Sequence, residues 1–272
     1  SLTGNTADSS GTGGGAIVSG GTLNIVNTSI SGNSSPNATA GNGGGGGIVT
    51  FAQLNLSHST ITGNRTSVAA GGGGIDARGN ETITHSIIAG NFVGTGTTPS
   101  DIGGGVVDTA TYNLIGDAGT AGGMTDGNSG NLVGIAGTGT RDIATVLDPV
   151  LADNGGLTPT HKLVVGSPAI DAGDPAFDGS TLTPPLTNDQ RGAGFTRVRK
   201  GLASSPAARI DIGAYELIEA PVFTNDDLEI NTGSMPLDLA TASGVTPPGG
   251  TFSGTGVSGG FFDPTGLAPG LY

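Results

Sequence analysis

The sequence predicts an all-β chain whose main part is a right-handed parallel β-helix, and three observations predict it. First, residues 13–91 repeat one pattern three times: Ile17 to Ile48, Leu23 to Leu54, Ile30 to Ile61 and Asn33 to Asn64 are each 31 apart. The next copy follows at 27, from Ile48 to Ile75, Leu56 to Ile83, Ile61 to Ile88 and Asn64 to Asn91. A fixed period of this size marks a solenoid. Second, each repeat holds about three segments of three to five residues, such as Leu23-Asn24-Ile25, in which apolar and polar residues alternate. That is a strand signal, and no longer window carries a helical period. Third, Gly makes up 54 of 272 residues while aromatics are 4%. The glycines fall at repeat positions, so the chain forms thin stacked coils rather than a thick aromatic core.

In chain order, the start Ser1-Leu2-Thr3-Gly4-Asn5 matches a repeat ending, since Asn5 precedes Asn33 by 28. The chain is therefore expected to begin inside a repeat. Equivalent residues of successive coils stack at roughly 4.8 Å. Ile17, Ile48 and Ile75 form one inward column and Ile30, Ile61 and Ile88 another. Adding 27 extends them to Ile102 and Ile115, so residues around Asp101 to Gly116 form a fourth, altered coil. Asn33, Asn64 and Asn91 stack at a strand end, where the amides bond to one another and Asn tolerates the left-handed backbone of a turn. Residues 119–139, with Gly130-Asn131-Leu132-Val133-Gly134, read either as a last, degenerate coil or as a surface loop.

From Leu147 the texture changes. Leu151-Ala152-Asp153-Asn154-Gly155-Gly156, Thr158-Pro159-Thr160-His161, Gly166-Ser167-Pro168-Ala169-Ile170-Asp171-Ala172-Gly173, Asp189-Gln190-Arg191-Gly192 and Asp211-Ile212-Gly213-Ala214-Tyr215-Glu216 follow in this order, after the Gly-Ile repeats and Tyr112-Asn113-Leu114-Ile115-Gly116. The assembly resembles the choice-of-anchor Q family of secreted bacterial parallel β-helix proteins over about residues 1–216. That resemblance implies a right-handed β-helix at the bacterial surface and no particular reaction. Residues 1–146 are then the coils and 147–216 an irregular cap, expected to close the end of the stack, where bare strand edges invite pairing. Asp189, Arg191, Asp211 and Glu216 would tie that cap by charge-assisted bonds. Residues 217–272 read as an incomplete immunoglobulin-like β-sandwich, with Leu228 to Asn231, Pro236 to Leu239, Gly249 to Gly254 and Phe261 to Pro264 as short strands. The stretch from Pro247 to Tyr272 looks like the immunoglobulin-like repeats of Bacteroidota surface adhesins, which implies a longer protein and export as type IX secretion cargo.

Function is bounded by what is missing and by what fails to cluster. A net charge of −13 disfavours nucleic acid and anionic membranes as partners, and no apolar run reaches the length of a membrane helix. Without cysteine there is no disulfide, thiolate metal site or thiol nucleophile. Glycan-cleaving chemistry needs carboxylates gathered on one face, and no paired-carboxylate motif recurs at the coil spacing. His58, His85 and Tyr112 continue a column from Asn27 and are the best surface or ligand candidates, although residues flanking an inward Ile are expected to point into solvent. Asp76 and Arg78, with Arg65, form either a polar groove or a solvated ion pair. No cofactor is required; calcium is the ion left open, through Asp171 with Asp174 or through Asn225-Asp226-Asp227. The sequence thus points to a non-enzymatic, extracellular structural or adhesive module whose partners are surface glycans, other surface proteins and its secretion machinery. The alternative is a polysaccharide-degrading lyase or hydrolase on the same fold.

Overall fold

A computed structural model of the chain describes residues 1–8, 10–180, 182–197, 209–217, 237–239, 255–263 and 265. The chain divides into two compact units, Ser1–Arg199 with Ala208–Leu217, and Lys200–Ala207 with Ile218–Tyr272. The first is a parallel β-solenoid with almost no helix beyond short 3-10 turns.

Three sheets of the solenoid position the site; a fourth, of Ser34–Ser35, Arg65–Thr66, Phe92–Val93 and the antiparallel Thr98–Pro99, and a short pairing of Gly13–Gly14 with Gly44–Gly45 complete the coils. One, here the flank sheet, stacks Leu2–Thr3, Ser29–Ser31, Thr60–Thr62, Ile87–Ile88, Leu114–Ile115 and Leu132–Val133 in that order, every pair parallel. A second, the turn-side sheet, stacks Ile17–Ser19, Ile48–Thr50, Ile75–Ala77 and Ile102–Gly104. The third, the open sheet, stacks Leu23–Val26, Gln53–Ser57, Asn80–Thr84 and Thr109–Thr111. The register follows the sequence period: Ile17 pairs with Ile48, Ile48 with Ile75 and Ile75 with Ile102. Ile30 pairs with Ile61, Ile61 with Ile88 and Ile88 with Ile115. Strand alternation sends these residues inward, where all but the half-buried Ile17 join one continuous aliphatic core. Leu114 pairs with Leu132 and Ile115 with Val133, so residues around 132 form a fifth, shortened coil rather than a surface loop.

Two polar ladders run parallel to this core. In the first, Asn5 donates through Nδ2 to Asn33 Oδ1, Asn33 to Asn64, Asn64 to Asn91 and Asn91 to Asp101 Oδ1, at 2.9 to 3.0 Å. Asp101 ends the series because it only accepts; it takes the backbone N–H groups of Asn91 and Asp117 as well. Burial pushes its carboxyl up to about 7 against these donors. In the second, Thr28 N–H donates to Ser59 Oγ, Ser59 N–H to Ser86 Oγ, Ser86 N–H to Asn113 Oδ1, and Asn113 to Asn131 Oδ1. Both ladders satisfy corner amides that the strand pairing leaves over.

The segment from residue 147 lies elsewhere than the sequence suggests. It covers the outer face of the flank sheet along the stack instead of closing its end. Asn27 donates to the Asn188 carbonyl, Ser29 to Gln190, the Ala214 N–H to Thr60 and the Gly213 N–H to the His85 carbonyl. Beneath it Ile87, Ala89 and Leu114 pack with Val146, Leu147, Leu163, Ala169, Ile212, Tyr215 and Leu217 as a second apolar core. An end cap would touch only the last coil; this one reaches the coil of Asn27. In the second unit the described residues form three short antiparallel strands, Phe261–Phe262 lying between Leu237–Asp238 and Val257–Ser258. The expected strands around Leu228 to Asn231 and Gly249 to Gly254 lie outside the described residues.

Candidate functional site

In the column nominated from the sequence, His58 and His85 do not face solvent, while Asn27 and Tyr112 are half-buried. Asn27, His58, His85 and Tyr112 each occupy the corner between the open and flank sheets with φ of 56, 48, 49 and 53°. That left-handed conformation is one Asn adopts easily and His or Tyr rarely. The rings stack, His58 on His85 at 4.7 Å and His85 on Tyr112 at 5.4 Å. Phe177 of the flanking segment covers both imidazoles. His58 and His85 are buried, and Asp174 N–H donates to His85 Nε2 at 3.2 Å. Burial, reinforced by the Arg197 cation, lowers His85 to about 4 and drives His58 further down. Both rings are therefore neutral packing groups that seat the flanking segment.

Asp189, Arg191, Asp211 and Glu216 are brought together in one buried network. Arg191 donates to both Asp189 oxygens and to the Glu216 carbonyl, and its guanidinium lies between the rings of Phe195 and Tyr215 at 4.0 and 3.8 Å. Asp189 accepts the Glu216 N–H, Glu216 the Asp211 N–H, and Asp211 the Leu217 N–H. Arg197 stands 3.8 Å from Glu216 and donates to the carbonyls of Gly213 and His58. Burial raises Asp211 to about 7 and Glu216 well above the usual carboxylate range, with Arg197 opposing both. Sequence reasoning missed Arg197, which joins the network to the imidazole column. Among the described residues no group of three or more carboxylates and imidazoles is placed to hold a metal ion, and Asn225-Asp226-Asp227 lies outside them.

The surfaces left to solvent are found by subtraction. The flank sheet is covered by the described residues of 147–197 and 209–217. On the turn-side sheet Val49 and Asp76, which point outward by alternation, are fully buried under Gly-rich turns, with Asp76 accepting the Gly44 N–H at 2.6 Å, and only Val18 of the first coil is exposed among its apolar outward residues. The open sheet stays bare. Its outward residues form rows: Asn24, Asn55, Thr82 and Thr109 pair across the four strands, and Val26, Ser57, Thr84 and Thr111 run beside them. Asn55 donates to Asn24 at 2.7 Å and accepts from Gln53 at 2.9 Å. The hydroxyls of Thr82, Thr84, Thr109 and Thr111 have no side-chain hydrogen bond among the described residues.

At the edge of this sheet Arg78 Nε bonds both oxygens of Asp76 at 3.0 Å. Asp76 is fully buried and the Arg78 side chain 25% exposed, so the pair is solvated on the arginine side only. Arg65 does not join it; its guanidinium reaches the Gly94 and Gly96 carbonyls and lies over Phe92. Comparison with family models, curated proteins and solved structures returns no match. Below the pair Glu81 occupies the inward position that Leu54 fills one coil earlier. It is 1% exposed, its Oε1 accepts the Gly79 N–H, and burial raises its pKa with Asp108 and Asp76 adding to the push.

Proposed function

We propose that the protein is a non-catalytic, extracellular module of a bacterial surface protein, in which the solenoid is a stiff carrier and the open sheet binds glycan hydroxyls. The observation that carries this reading is the contrast between faces. The flank and turn-side sheets spend most of their outer side on internal packing, while the open sheet presents an array of Asn, Ser and Thr whose threonine hydroxyls have no side-chain hydrogen bond among the described residues. Rows spaced at roughly 4.8 Å across strands offer repeated weak hydrogen bonds, and a polymeric ligand that engages several at once gains avidity without any single strong contact. The imidazoles and the Asp189–Glu216 network, which would otherwise be the natural acid–base candidates, serve the interior.

A second reading, a polysaccharide-degrading enzyme, draws on Arg78 with the carboxylates of Asp76, Glu81 and Asp108 near one edge of that face. Asp76 and Glu81 are buried, which supports a packing role over one that touches substrate. Incubation with neutral and acidic polysaccharides separates the two. The binding module is retained on an insoluble glycan and leaves it unchanged; release of new reducing ends or unsaturated uronates would overturn the non-catalytic reading.

A further inference from the structure

The edge of the open sheet carries a groove with a different chemistry from the sheet itself. Thr50 pairs with Ala77 and Ala77 with Gly104, so the residues that follow, Phe51, Arg78 and Gly105, stack at the corner where the turn-side sheet hands over to the open sheet. The ladder continues through them, with Phe51 N–H on the Ser19 carbonyl and Arg78 N–H on that of Thr50. Together with Ala70, Gly79 and Val106 these residues line a groove of about 530 Å³, within the range of small-molecule sites. Phe51 is 43% exposed and Val106 70%. The strands of the open sheet begin just beyond it, at Gln53 and Asn80.

We propose that this groove is the anchoring subsite for a neutral hexopyranose chain that continues onto the open sheet. The inference rests on the reading of that sheet as a glycan-binding face and adds where the chain is held and what charge it carries. A pyranose presents an apolar C–H face and a rim of hydroxyls. Phe51 and Val106 supply apolar surface for the first, and Arg78 lines the groove as its polar wall. Arg78 is oriented by the buried Asp76 carboxylate, which also balances its charge. The groove therefore has no net attraction for an anion, and the chain's charge of −13 repels a polyuronate.

The test is isothermal titration of the full chain with cellohexaose, maltohexaose, mannohexaose and hexagalacturonate. The wild type is expected to bind at least one neutral oligosaccharide and to bind hexagalacturonate more weakly. Phe51→Ala should weaken the neutral ligand about tenfold, the equivalent of losing one ring contact. Val106→Ala should weaken it two- to threefold, and Leu157→Ala, on an exposed residue of the flanking segment, should leave it unchanged. Thermal melts by circular dichroism check that each variant is folded. If the wild type binds and neither groove variant changes affinity beyond twofold, the groove is wrong and the wider glycan reading stands. If hexagalacturonate binds more tightly, the neutral class is wrong. If no oligosaccharide binds, both fall.

Discussion

Asn64 is the position where the interior of the solenoid can be tested most sharply. Its Oδ1 accepts the backbone N–H and the Nδ2 of Asn33 at 3.0 and 2.9 Å, and its Nδ2 donates to Asn91 Oδ1 and to the carbonyls of Ile30 and Thr62. The residue is fully buried. Asn64→Ala leaves two donors of Asn33 without an acceptor in the interior, and each unsatisfied buried group costs about 1–3 kcal/mol. The loss should be about 3–5 kcal/mol, read as a lower urea midpoint with unchanged slope in far-UV circular dichroism. Asn24→Ala is the control: Asn24 is exposed and accepts one bond from Asn55, so its loss should stay below about 0.5 kcal/mol. Asn64→Asp keeps both acceptors yet turns the donor into an oxygen facing Asn91 Oδ1 and two carbonyls, and should cost at least as much as alanine. Asp101 escapes that penalty only because its neighbours are N–H groups. A cost below about 1 kcal/mol for Asn64→Ala would refute the reasoning and leave the stack resting on its isoleucine columns alone.

Other consequences are open to measurement. Glu81→Gln keeps an acceptor for the Gly79 N–H while removing a buried charge; because the folded pKa is raised, the native Glu destabilises as pH climbs, so the variant should gain stability over the wild type at pH 7 and little at pH 4 by urea titration. His85→Phe keeps the ring stack and deletes a titration. The wild-type imidazole falls from 6.5 to about 4 on folding, so its contribution is present above 6.5 and lost as pH falls towards 4. The stability difference between wild type and variant should move by up to about 3 kcal/mol across that window, in favour of the variant at acid pH. Asp101 and Asp211 titrate in the opposite sense, but they are common to both proteins and cancel in the difference. Gly46→Ala would put a methyl 2.3 Å from the backbone of Arg65 and Gly73 and should lower the melting temperature severely, whereas Gly20→Ala meets nothing within 4 Å and should be neutral.

The isoleucine columns and the Asn stack were legible because each recurs as the same residue at a constant interval, and identity at a fixed spacing survives without any structure. The second ladder was not, because its members change from Ser59 and Ser86 to Asn113 and Asn131; only the geometry shows that a hydroxyl and an amide oxygen receive the same kind of N–H. The segment from 147 carries no period that would place it, and strand-edge protection alone points to the end of the stack. The signal for the side was nevertheless present in Ile87-Ile88 and Leu114-Ile115. Adjacent apolar residues in a strand are buried on both faces, and the equivalent outward positions in earlier coils are the polar Ser29 and Thr60. The same covering explains why His58 and His85, expected in solvent, are packed. Phe51 and Arg78 were within reach of the sequence too, since extending the Ile48 to Ile75 register by three residues places one above the other.

If the solenoid is a carrier for its bare sheet, the hydroxyls of that sheet carry the binding. Thr82→Val, Thr84→Val and Thr109→Val in one chain remove three outward hydroxyls while preserving branched side chains suited to a strand. Affinity electrophoresis of this variant and the wild type through gels containing the neutral polysaccharide that retards the wild type measures the claim directly. Retardation should vanish with the thermal melt unchanged; equal retardation of variant and wild type would contradict binding through these hydroxyls.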